Sequence, residues 1–486
     1  MLLYRWLSDA TRDRGNAKAL VYRDTYLSWR GLQHRVERRA QEFASMGIGA
    51  DHWVGLMLGN VPDFAILALA LSKVGATVVP LDPTTSARDL ALILDSAPFR
   101  ALITRPRGGV DAVPQAAIIK TKKGSRTPLN PESRRRLQGT LLTCSIYKRP
   151  RHESPNDTAS VVLFTSDSSG DPKGVLRSEA NVEQGVKNLT TTLELTPEDR
   201  ILTTAPLYHA YGFDLGITLA LKMGATLYLE DEVSPARIVK MLREQEVNLL
   251  PGLPSLYQAL AKVPTAKLLK TKHARFIAAG SPLGEATAEA FRDHWGVRVM
   301  SMYHTTEAHA IAMDRKGAAP DSCGKAVDGV EIRVGQEGKL AASGTGPVWV
   351  RSLAVSRRSI HSEPPQVRKG ETAIGTTDSE GWFRTGDIGK LDKTGKVVLT
   401  SREDDVVKVD GKRIALGEVE GCLEAYSKVK AAQAIVITDP LGGPMVIARV
   451  VLSGKCDAEE IIDHCARNLA SYKVPRRIEF CDALPS

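Results

Sequence analysis

The sequence is poor in most features that mark a secreted, metal-bound or membrane protein. Cysteine is scarce, with six residues in 486 (Cys144, Cys323, Cys422, Cys456, Cys465 and Cys481) and no C-x-x-C pair. Metal-ligand spacing is therefore missing, and a chain of this length does not call for a disulfide framework. We read the six as reduced thiols in a cytoplasmic protein. Long apolar runs are also lacking. The longest, 64–71 (FAILALAL), is far shorter than the ~20 residues that span a bilayer. No secretory core follows Met1, because MLLYRWLSDATRDRG turns polar at once. There is no internal repeat of solenoid length and no extended low-complexity tract.

Charge of one sign is confined to a single stretch. The net charge is +9, yet residues 105–151 hold twelve Lys or Arg against only Asp111 and Glu132. The remainder is close to neutral, which argues against a general nucleic-acid binder. The basic stretch reads either as a solvated surface loop or as a docking surface for a polyanion, such as the phosphates of coenzyme A or an acidic carrier protein.

What is present describes a soluble globular protein: 43% hydrophobic and 25% charged residues, in a chain long enough for two or more domains. Strand and helix alternate. VVLF (161–164) leads into a Gly/Ser-rich turn, and ATLYLE (225–230) reads as a strand. Ser234-Pro235 then supplies an N-cap and a proline at the first helical position. VNLLPGLP (247–254), ARFIAAG (274–280) and VRVMSMY (297–303) read as further strands, with helices at 256–263 and about 285–295. Such βα repetition predicts helix-covered, mostly parallel sheets, with ligands beyond the carboxyl ends of the strands. From about 329 to 400 short β runs separated by glycine turns predict a β subdomain. After 401 the pattern becomes a small α+β unit. The expected fold class is α/β, with a large domain at 1–402 and a small one at 403–486.

The unusual sequences fall at strand ends. TSDSSGDPKGV (165–175) is dense in hydroxyls and glycine and carries one lysine. Hydroxyls, turn N–H groups and an ammonium suit phosphate oxygens. The G-x-x-x-x-G-K-[ST] spacing of a Walker loop is not met. Taken alone the segment is more often a surface turn.

It is followed in order by APLYHAYG (205–212), GSP (280–282), YHTTE (303–307), WFRTGD (382–387) and SREDDVVKVDGKRIALGEVE (401–420). Six motifs in register resemble the acyl-adenylate-forming superfamily of acyl- and aryl-CoA synthetases, luciferases and peptide-synthetase adenylation domains. The resemblance implies ATP and Mg²⁺ as cofactors. It implies that Thr165, Ser166, Ser168, Ser169, Gly170 and Lys173 hold the β- and γ-phosphates. Gly280, Ser281, Pro282 and Tyr303 would form the adenine slot. Thr306 would contact the α-phosphate, and Glu307 would bind the metal. Asp387 would clasp the ribose with Arg402 beside it, His209 and Gly212 would flank the acyl pocket, and Asp404 would be the hinge of a mobile C-terminal domain.

Three departures qualify the resemblance. Asp167 stands where the phosphate loop usually has glycine. His304 stands where the second glycine of YGxTE leaves room for the acyl group. A ring there predicts a short or compact acid, with or without a polar substituent, and not a long-chain fatty acid. The sequence stops at CDALPS, before the Gly-Lys-containing segment whose lysine serves adenylation in the family. Lys408, Lys412 and Lys473 do not occupy that motif, which leaves a trimmed tail or an impaired first half-reaction. Three functions remain: an acyl-CoA-synthetase-like ligase with coenzyme A as acceptor, a stand-alone enzyme loading the phosphopantetheine of a carrier protein, and a non-catalytic nucleotide-binding relative.

Overall fold

A computed structural model describes residues 1–96, 98–105, 131, 133–147, 159–166, 172–231, 234–263, 274–360, 374–403, 406–409, 412–439 and 443–481. The βα repetition builds a nine-stranded sheet. Six strands run parallel side by side, in the order Val299–Thr305, Arg275–Ala278, Leu249–Gly252, Arg200–Thr203, Thr226–Leu229 and Lys18–Tyr22. Antiparallel strands close both edges. One of them, His309–Met313, turns straight back on Val299–Thr305 where the βα pattern would have supplied a helix.

A second sheet of eight strands has a parallel centre formed by Val161–Ser166, Thr77–Pro80, Trp53–Met57 and Phe99–Thr104. The apolar run at 64–71 lies in the helix Pro62–Val74, every residue of which from Phe64 to Ser72 is buried. A helix apolar on all sides belongs in a core rather than at a surface. It starts with a proline at its first turn and ends at Gly75 with φ 78°.

The expected β subdomain is a four-stranded antiparallel sheet of Glu331–Val334, Gly344–Arg351, Phe383–Leu391 and Val397–Arg402. Gly324 joins it to the nine-stranded sheet: Val397 N donates to Gly324 O, and Cys323 N donates to Val397 O, both at 2.8 Å. Gly324 has φ 74°, and a Cβ there would fall 2.1 Å from the Met313 carbonyl carbon.

The C-terminal part has its own core around Val419, Leu423, Ala448, Ile461 and Cys465. The hairpin Val406–Val409 with Lys412–Ala415 leads into the helix Leu416–Glu424. A three-stranded sheet of Val429–Asp439, Gly443–Leu452 and Ile478–Phe480 follows, with the helix Ala458–Asn468 packed on it. It meets the large domain through charges. Lys473 Nζ, 2.7 Å from Glu418 Oε2 within the C-terminal part, reaches to 3.9 Å from Asp89 Oδ2 of the large domain, and Lys412 pairs with Asp82. No helix among the described residues is long and apolar enough to cross a membrane.

The Gly324 contact yields a direct expectation. Gly324→Ala adds a methyl group into the Met313 carbonyl at a left-handed backbone angle, a cost of roughly 2–4 kcal/mol. Thermal unfolding followed by circular dichroism should show a clear drop in midpoint; an unchanged midpoint contradicts the close approach.

Candidate active site

The strands Val161–Ser166 and Pro172–Arg177 pair antiparallel, with Thr165 opposite Lys173. Between them in the sequence stand Asp167, Ser168, Ser169 and Gly170, which lie outside the described residues, as do the Ser166 side chain and Asp404. Of the basic 105–151 stretch, only Arg105 and the edge strand Ser133–Arg136 contribute described cations. Lys173 points inward, and its Nζ stands 2.9 Å from Glu307 Oε1. Both side chains are buried, at 6% and 4% exposure, so the pair sits in a medium where an uncompensated charge is costly. Ser356 N donates to Glu307 O at 2.8 Å and fixes the chain at that point. Gly375 (φ 75°) lies against the ammonium: a Cβ there would be 2.5 Å from Lys173 Nζ.

Glu307 follows the strand that carries Tyr303. The Tyr303 hydroxyl donates to Asp387 Oδ2, and Arg402 NH1 donates to Asp387 Oδ1 at 2.6 Å. Burial, with the Asp387 carboxylate adding to it, pushes the Tyr303 phenol well above its ordinary value and keeps it a neutral donor. Asp387 and Arg402 face each other across the subdomain sheet. The ends of three sheets thus meet here, the first through Lys173, the second through Tyr303 and Glu307, the third through Asp387 and Arg402. Gly280, at φ 93°, follows the strand Arg275–Ala278, which pairs with the strand that carries Tyr303. Ser281 is half-buried there and Pro282 is exposed.

Next to this seam is an open cleft that includes Thr165, Tyr208, His209, Asp82, Lys412 and Tyr472. Lys412 comes from the C-terminal hairpin. Its ammonium lies 4.3 Å from the Tyr472 ring centroid and pairs with Asp82, whose other oxygen accepts from Thr84 N and Oγ1 at 2.8 and 2.7 Å. His209 caps the short helix that follows it, its Nδ1 accepting from Tyr211 N at 3.4 Å. Gly212 has a steric role, since a Cβ would stand 2.2 Å from Pro206 O.

Residues that the motifs did not single out complete the arrangement. Arg177, fully buried, donates from Nε and NH2 to Thr306 O at 2.9 and 2.6 Å and from NH1 to Asp214 Oδ1 at 2.7 Å. Asp214 lies in a π-helical turn, Phe213–Thr218, and its Oδ2 is 2.9 Å from His304 Nε2. His309 Nδ1 is 3.0 Å from the same oxygen, at an angle too oblique for a full hydrogen bond. Burial pushes the His309 imidazole down to about 4, and Arg177 adds to that. Burial works to raise the Asp214 carboxyl, but Arg177, His309 and the His304 N–H outweigh it and hold it well below the usual range. One signal for this cluster was legible: a lone Asp inside the apolar run 210–221 has to find a buried partner.

The buried pair at the seam can be tested without substrate. Lys173→Met strands Glu307 without its lysine, a loss of about 3–5 kcal/mol. Lys173→Met/Glu307→Met should recover most of that in thermal unfolding; equal midpoints for the single and double variants contradict the pairing.

The AMP-binding enzyme family model matches residues 7–358, and the AMP-binding enzyme C-terminal domain model matches 418–486. A feruloyl-CoA synthase of Amycolatopsis sp. is 25% identical, covering 99% of this chain and 95% of its own length. A long-chain-fatty-acid–CoA ligase of Mycobacterium tuberculosis is 24% identical, covering 95% and 90%. In fold, the chain is similar to the amide bond synthetase McbA of Marinactinospora thermotolerans, with TM-score 0.79 and 23% identity over 100% of this chain and 96% of that one. The chain belongs to the AMP-binding, acyl-adenylate-forming enzyme family.

Proposed function

We propose that this chain activates a short or compact carboxylic acid with ATP and passes the acyl group to the thiol of coenzyme A. The observation that carries this reading is the seam where Lys173, Glu307, Tyr303, Asp387 and Arg402 meet. In the first step a carboxylate oxygen attacks the α-phosphorus of ATP. The bond to the β-phosphate breaks, its electron pair leaves on pyrophosphate, and acyl-AMP forms. No protein nucleophile is required. The site has to hold two anions together, so positioning and charge compensation supply the rate.

Each role follows from side-chain chemistry. Lys173 supplies an ammonium at the end of the hairpin whose turn would cradle phosphate. Tyr303 and Arg402 orient the Asp387 carboxylate, which would accept hydrogen bonds from the ribose hydroxyls. The buried Glu307 carboxylate is a hard oxygen donor, and Mg²⁺ commonly takes one or two such groups beside phosphates and water, so the residue fits that ion. Bound there, Mg²⁺ would neutralise triphosphate charge. In the second step the thiol sulfur attacks the acyl carbon, the carbon–oxygen bond to AMP breaks, and the thiol proton passes to solvent. The cleft between Thr165, His209 and Lys412 supports thiol entry from the C-terminal side. The compact-acid reading rests on His304, whose ring is held by Asp214 and packs edge-on to Tyr211 at 5.7 Å. We place the domain boundary at 402/403, with Asp404 as hinge.

A panel of carboxylic acids with ATP, Mg²⁺ and coenzyme A should give acid-dependent pyrophosphate release. Asp387→Ala removes a charged acceptor for two hydroxyls and should lower kcat/KM for ATP by about 100-fold or more; a loss under tenfold counts against the ribose role. In single-turnover experiments, Lys412→Ala should slow thioester formation more than adenylate formation. Equal slowing of both steps would remove Lys412 from the thiol side.

A further inference from the structure

The buried cluster around Asp214 is not needed for the chemistry just described, and its cost asks for a reason. Arg177 and Asp214 are both 0% exposed. Replacing a buried ion pair with apolar residues of similar volume is often neutral or stabilising, so stability alone does not account for it. What apolar side chains lack is direction. Arg177 grips a single carbonyl, that of Thr306, with two N–H groups, and Asp214 receives both Arg177 and the His304 ring.

The position of the cluster gives direction a use. Arg177 lies four residues beyond Lys173 on one strand, so both side chains leave the same face. Lys173 meets Glu307 and Arg177 meets Thr306, two adjacent contacts between the same pair of segments. Asp214 adds the helical segment after PLYHAYG. Its π-helical turn is closed by Thr218 Oγ1 donating to Asp214 O at 2.6 Å. The His304 ring is thereby held on two sides, by Asp214 at Nε2 and by the Tyr211 edge, while Tyr211 is itself tied to Ile277 O at 2.8 Å. His304 stands two residues before Thr306. An acid that attacks an α-phosphate held at Thr306 extends into the space beside that segment, which an immobile ring would shorten.

We infer that Asp214 is the positioning residue that sets acid selectivity: it locks the His304 ring and, through Arg177, the Thr306–Glu307 segment, so that the enzyme takes acids of small extent. This rests on the adenylating function proposed above. Without Asp214 the imidazole gains rotamers, the space lengthens, and acids extended by methylene groups gain relative to compact ones.

The test measures pyrophosphate release by the parent enzyme, Asp214→Asn, Arg177→Met/Asp214→Met and His304→Gly, each with ATP and Mg²⁺. The double variant replaces the whole ion pair and keeps the inference testable if the single variant folds poorly. For each protein the ratio of kcat/KM is taken between the parent's best acid and its homologue longer by two methylenes. The ratio cancels the fraction of folded enzyme, so a merely structural role lowers both rates and leaves it unmoved. We expect the ratio to fall at least fivefold in the Asp214 variants, in the same direction as in His304→Gly. A fall of less than fivefold in the Asp214 variants overturns the inference, even if total activity drops. If the parent releases no pyrophosphate with any acid, it is the adenylating function that fails, and this inference with it.

Discussion

The site depends on one contact between distant parts of the chain, the buried pair of Lys173 with Glu307. The two residues come from different sheets, and each would be costly to bury alone. Their pairing registers the hairpin of Val161–Ser166 and Pro172–Arg177 against the end of the strand Val299–Thr305. Once that register is set, Tyr303 lies where its hydroxyl reaches Asp387, and the third sheet joins the same seam. The adjoining Arg177–Thr306 contact repeats the logic with a backbone acceptor, which fixes the segment whatever side chains it carries.

Such an arrangement suits a reaction in which the protein performs no covalent step. Two anions have to be brought together and the charge of a leaving pyrophosphate has to be borne. Under the proposed function the groups present, an ammonium, a guanidinium, a buried carboxylate suited to a hard cation and an aspartate aligned by two donors, would serve those ends. The cleft beside them has contributions from both domains, with Lys412 and Tyr472 on one side and Thr165 and His209 on the other. Charges lie along that junction, as Lys412 paired with Asp82 and Lys473 near Asp89 illustrate.

Much of this was legible before any coordinates. The parallel sheets followed from strands at 225–230, 247–254, 274–280 and 297–303, each near its observed place because short apolar runs between breakers have few alternatives. The helix at 285–295 was legible from its spacing, and the structure has it at Glu285–Trp295. Motif order brought Lys173, Glu307, Tyr303, Asp387 and Arg402 under one heading. Local pattern did not convey the partners of His304. In the sequence that ring reads as a filler of space or as a donor to a polar group on the substrate, whereas its Nε2 is tied to Asp214, 90 residues away. Nor did pattern suggest Lys412, whose place in the cleft depends on how one domain sits against another. Long-range side-chain pairing leaves no periodicity in a sequence. Its only trace is a charge where the neighbours are apolar, as at Asp214 and Arg177.

The central claim is spatial: one nucleotide touches all three sheets. The most direct measurement is a crystal structure of the protein with Mg²⁺ and a non-hydrolysable ATP analogue. The account predicts phosphate oxygens at Lys173, the metal on Glu307, and both ribose hydroxyls on Asp387. A nucleotide bound away from these residues, or touching only one of the three sheets, would contradict it.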